Sequence, residues 1–112
     1  MAPQPVMMAY ITASDHDEAL SLATVLVEER LAACANILDA MTSLYWWQGE
    51  IQRGREVSLI VKTRADLIEP LKRRVCEIHS YSLPCIVAWP IADGHEPFLD
   101  WVRNETQNIE RK

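Results

Sequence analysis

The order of apolar patterns along these 112 residues predicts an α+β domain built on an antiparallel sheet. Three observations carry that prediction. Two helix-period stretches each open on an acidic capping signal. A run from Cys34 to Trp47 holds no Pro or Gly, turns at Gln48-Gly49 and returns in the period of a strand. A last helical stretch follows Asp93-Gly94. A chain of this length has room for one hydrophobic core, since such a domain buries roughly two-thirds of its unfolded surface. Residues 1–112 therefore read as one domain, with 1–5 flexible and 106–112 frayed.

Val6 to Thr12 is rich in β-compatible side chains and follows two prolines that blunt its start, so it reads as the first strand. In Asp15-His16-Asp17-Glu18, Asp15 is placed to accept from an early helix amide while Glu18 reaches back. Ala19, Leu22, Ala23, Leu26, Val27 and Leu31 then recur at helical spacing opposite Asp17, Ser21, Glu28 and Glu29, which predicts a helix covering a sheet face. Strand two runs from Cys34 to Trp47 and strand three from Ile51 to Thr63, a hairpin long enough to project beyond the core. Gly54 marks a bulge or bend in the return strand. Val57, Leu59 and Val61 give its inner half a core face.

Asp66 and Glu69 repeat the capping arrangement ahead of Leu67, Leu71, Val75 and Ile78. Pro70 fits only in the first turn, which sets the helix start near Ala65 to Leu67. Cys85 to Trp89 is a short apolar run suited to a strand covered on both faces. Phe98, Trp101, Val102 and Glu105 predict the final helix. The first six elements form the split β-α-β-β-α-β order of a ferredoxin-like fold, with the last helix added. A hairpin this long leaves strand edges that a partner must cover.

The formal charge of -5 provides no basic field, which argues against nucleic acid or an anionic membrane as partner. Lys72-Arg73-Arg74 is the one compact basic cluster and reads as a solvated helix face. No cationic leader with an apolar run opens the chain and no later run spans a bilayer, so a cytoplasmic location is expected. Three cysteines leave one without an intramolecular mate, and a reducing compartment keeps all three as thiols. No hydrolase elbow or phosphate loop is present, which argues against an enzyme.

Thiolate and imidazole suit copper and zinc, and the chain has three Cys and three His. Cys76 and His79 stand three apart on one helical face. Cys34, after Leu31-Ala32-Ala33, equally reads as a small packed hydrophobe, as does Cys85 at the start of its strand. Tyr45, Trp46, Trp47, Lys62, His79, Tyr81 and Trp101 form a polar and aromatic group that serves a ligand pocket or an oligomer interface. For Tyr45, Trp46 and Trp47 the interface is favoured, because neighbours on a strand face opposite sides.

The stretches Glu29-Arg30-Leu31-Ala32-Ala33-Cys34-Ala35-Asn36-Ile37, Thr42-Ser43-Leu44-Tyr45-Trp46-Trp47-Gln48-Gly49-Glu50-Ile51 and Glu56-Val57-Ser58-Leu59-Ile60-Val61-Lys62-Thr63 closely resemble the CutA family, named for divalent-cation tolerance. The resemblance runs from about Val6 to Glu105. It implies a tight homotrimer whose hairpins build sheet across subunits, and copper or another divalent cation as ligand. It selects Cys34 and His79 as first metal ligands, with Cys76 and Cys85 as weaker candidates. A further cysteine of the family's first strand corresponds to Ile11 here, which removes one soft donor. The family's His-Pro-Tyr-Glu-x-Pro-Glu loop becomes His79-Ser80-Tyr81-Ser82-Leu83-Pro84-Cys85, replacing two carboxylates by Ser82 and Cys85. The sequence thus predicts a metal-responsive binding protein. A PII-like small-molecule sensor, binding near Lys62, Tyr81 and Trp101, and a trimer that scaffolds a partner protein are the alternatives.

Overall fold

Residues 3–107 are described by the structure, a computed structural model, and the elements follow in the expected order. They are β1 (Val6–Ala13), α1 (His16–Glu28), β2 (Cys34–Trp47), β3 (Glu50–Arg64), a 3-10 turn (Ala65–Leu67), α2 (Ile68–Ile78), β4 (Ile86–Pro90) and α3 (Glu96–Glu105). The four strands make one antiparallel sheet in the order β2-β3-β1-β4. Alternation puts Ala9, Ile11 and Ala13 beside Val57, Leu59 and Val61 on one face. Against it pack Leu22 and Leu26 of α1 and Leu71 and Val75 of α2, all buried. Closing off a side chain such as Ile11 or Leu26 contributes about 2 kcal/mol. Val6, Leu99 and Val102 form a smaller cluster that fixes α3 near the start of β1.

Asp15 Oδ1 accepts the Glu18 N–H at 2.8 Å, as a cap should. Glu18 instead turns to Ser14, accepting its N–H and its hydroxyl, each at 2.9 Å. The helix ends in a Schellman motif: Arg30 at φ 58 donates to the Val27 carbonyl and Leu31 to that of Leu26. The chain then leaves the helix axis, and Val27 falls outside the buried stripe. At α2, Asp66 does not cap. Its carboxylate takes Arg64 Nε and Nη2, both at 3.0 Å, and the 3-10 turn supplies the entry, with Pro70 in the first turn of α2. On that helix Arg74 pairs with Glu29 and Glu77, and Lys72 with Glu69, the solvated face expected of the basic cluster.

Pairing between β1 and β3 stops at Ala13 and Val57, so 41–47 and 50–56 continue as a two-stranded ribbon, about 23 Å long. Its turn has Gln48 at φ 52 and Gly49 at φ 81, the signature of a type I′ hairpin. Nothing lies within 4 Å of a Cβ added at Gly49, so Gly49→Ala should cost only backbone strain. Thermal unfolding should register a loss of about 1 kcal/mol.

Two further expectations change in the sheet. Gly54 pairs regularly with Ser43, and the bulge lies on the facing strand between Leu38 and Met41, where Ala40 takes φ 64. A single left-handed residue absorbs the extra position, which the alternating sequence there did not announce. The short last strand is not covered on both faces. It sits at the sheet edge beside β1 alone, with Val87 and Trp89 exposed, and Cys85 precedes it in an exposed loop.

Of the termini expected to be loose, the Gln4 carbonyl accepts from Arg103, the Pro5 carbonyl from Ala65, and Thr106 is buried against the Val102 carbonyl. Residues 1–2 and 108–112 lie outside the described residues. No helix among the described residues is long and apolar enough to cross a membrane.

Candidate functional site

Where α2 ends, His79 leaves helical geometry and its side chain turns inward, fully buried. Its Nε2 donates to the Thr12 carbonyl at 2.7 Å, and its Nδ1 accepts the Tyr81 N–H at 3.0 Å, which fixes the tautomer. Glu18 closes the loop from the other side, accepting the Ser80 N–H at 2.8 Å. Burial alone would push the Glu18 carboxyl up, but the hydrogen bonds from Ser14 and Ser80 outweigh it and hold the carboxyl down, at about 2. One carboxylate thus joins the start of α1 to the loop after α2.

That loop delivers Tyr81 to the root of the ribbon, its ring 4.7 Å from that of His79 and its hydroxyl donating to Glu56 Oε2 at 2.8 Å. Burial, then the Glu56 carboxylate, raises the Tyr81 pKa and keeps the phenol protonated. Between loop and ribbon lies a cleft of about 500 Å³, bordered by residues 43–47, Thr12, Glu56, residues 81–83 and Cys85. Tyr45 and Trp47 come from the sheet face that carries Glu56. Trp46 borders the cleft too, against the expectation that three neighbours cannot share a pocket. The strong twist of a two-stranded ribbon turns the flanks of adjacent residues toward one hollow.

The proposed metal ligands are spread out. Cys34 pairs across from Lys62, whereas the carbonyl holding His79 belongs to Thr12, which pairs with Ser58. Four residues along β3 separate the two positions by about 13 Å in the strand direction, and β3 itself lies between them. Cys76 is exposed on α2 while His79 has turned into the core, so this pair does not share a face. Both His79 ring nitrogens already have partners. Ile11 points into the core, on the sheet face opposite Cys34. Among the described residues no three or more His, Cys, Asp or Glu gather as a metal site.

The predicted sensor pocket also divides. Lys62 Nζ is 2.8 Å from Asn36 Oδ1, and Trp101 stacks on Phe98 of α3, near the start of β1 and far from Tyr81 at its end. Sequence reasoning missed Glu56 and gave Glu18 only a capping role. The second was visible as an acidic first-turn residue; nothing local marks the first, whose partner stands 25 positions away.

A family model described as CutA1 divalent ion tolerance protein matches residues 7–105. Over 96 residues the chain is 48% identical to the divalent-cation tolerance protein CutA of Thermus thermophilus, covering 86% of this chain and 93% of that one. It is 39% identical over 104 residues to the chloroplastic protein CutA of Arabidopsis thaliana, covering 93% of this chain but 57% of that longer protein. The solved structure of the periplasmic divalent cation tolerance protein CutA from Archaeoglobus fulgidus superposes with a TM-score of 0.88 at 40% identity, covering 91% of this chain and 99% of the other.

Proposed function

This chain belongs to the CutA1 divalent ion tolerance family, and we propose that it works as a non-enzymatic, ferredoxin-like homotrimer of the cytoplasm that binds a divalent or copper cation in the response to that metal. The observation that carries this reading is the bare ribbon. Leu44, Trp46 and Ile51 are 70%, 72% and 62% exposed in the single chain, a contiguous apolar surface of the kind that sister copies cover. Cation binding rests on the soft donors. The thiols of Cys34, Cys76 and Cys85 are all unpaired, as a reducing compartment would leave them. Since one chain gathers no complete ligand set among its described residues, the ion takes donors from more than one copy. Cys34 leads that set, and His79 joins it only by giving up Thr12 or Tyr81.

Calorimetric titration of the metal-free protein with Cu(I), Cu(II) and Zn(II) tests this. Cu(I) should bind at micromolar concentration or tighter, and Cys34→Ala should weaken it by about tenfold or more. His79→Ala should act chiefly on stability. Millimolar affinity, unchanged by either substitution, would reject the site.

A further inference from the structure

We propose that the cleft between the ribbon and the loop after α2 binds an organic cation, an alkylammonium or guanidinium group held against the rings of Tyr45, Trp47 and Tyr81 with Glu56 as counter-ion. Of the metal candidates only Cys85 borders the cleft, so Glu56 variants and a probe with no metal affinity test this proposal apart from the metal reading.

Three features select the ligand's chemistry. Among the described residues Glu56 is the one charged residue bordering the cleft. Among the described residues only its Oε2 is engaged, by the Tyr81 hydroxyl, which leaves Oε1 for a ligand. No Lys or Arg among the described residues borders the cleft, so a nucleotide or organic anion would meet a carboxylate with none of them to balance its charge. A bare metal ion fares little better, since hard divalent cations take six or more oxygen ligands and this cleft offers one carboxylate. A cation with an apolar coat gives up its hydration more easily and gains from ring faces as well as from the carboxylate. The volume of about 500 Å³ falls within the range of small-ligand sites. The phenol of Tyr81 is held to Glu56 by its own proton, and its loop is pinned by His79 and Glu18, so the wall is set before a ligand arrives.

Two sources present this chemistry, a free small molecule or a basic side chain of a second copy. The full-length protein titrated with choline, of which neohexanol is the neutral isostere, at low salt and followed by tryptophan fluorescence, should show a saturable change, since Trp46 and Trp47 border the cleft. The uncharged neohexanol should bind about tenfold more weakly, as should the ammonium probe to the Glu56→Gln variant, which keeps an acceptor for Tyr81. If a sister copy's side chain already fills the cleft, the probe will not bind and Glu56→Gln will lower the sedimentation mass, assigning the same chemistry to that side chain. Equal affinity for the charged and uncharged probes overturns the proposal. So does the absence of both responses.

Discussion

Glu18→Ala is expected to lower the melting temperature by about 10 °C, a loss of about 2 kcal/mol. The substitution deprives the Ser14 N–H, the Ser14 hydroxyl and the Ser80 N–H of their acceptor at once. Hydrogen bonds to a charged group contribute more than neutral ones, and this carboxylate is largely shielded from water. The effect carries a pH signature. Free in the unfolded chain the carboxyl titrates near 4.5, and in the folded protein at about 2. The depressed folded value means the stabilisation is complete above pH 4.5 and fades as pH falls toward 2. Melting curves of the parent and of Glu18→Gln, recorded across that window, should therefore converge as acid is added. A gap that stayed constant to the acid end would show that Glu18 acts by packing alone. Loosening of Tyr81 should accompany the loss, because the loop that carries it is the one Glu18 holds.

Periodicity and capping chemistry made the elements and their order legible. Asp15 capped α1, the positive φ of Gln48 and Gly49 closed the hairpin where the sequence placed it, and alternation at Val57, Leu59 and Val61 identified the core face. The failures have two causes, a competing local partner and long-range pairing. Asp66 had an available cation in Arg64 two residues earlier, so a local ion pair displaced the cap. The bulge moved to Ala40 because strand register depends on both strands, and neither alone records it. The site was less legible than the fold. His79 stood out as a candidate ligand, yet its environment is composed of Thr12 and Tyr81, and no spacing rule connects β1 to the loop after α2. Trp101 and Tyr81 had been grouped by chemistry, but topology sends them to opposite ends of β1. Residue type nominates donors and rings; only the sheet order decides which of them meet.

The largest effect should come from the ribbon. Trp46 and Ile51 are cross-strand partners beyond the helices' reach, so exchanging them as Trp46→Lys with Ile51→Glu keeps an attractive pair on the ribbon itself. It removes the apolar surface that a sister copy would cover, worth roughly 4 kcal/mol per copy from the area of one Trp and one Ile. In the proposed trimer every copy contributes the same patch, so the loss repeats at each interface. Sedimentation at micromolar concentration should therefore fall from the mass of three chains to that of one. The core beneath α1 and α2 shares no residue with the ribbon, so far-ultraviolet dichroism should retain the parent's helix content. A variant that still sediments as three copies would move the interface elsewhere, with the edge strand and its exposed Val87 and Trp89 as the next surface to test. A parent protein that sediments as one folded chain would remove the trimer, and with it any cation site assembled between copies.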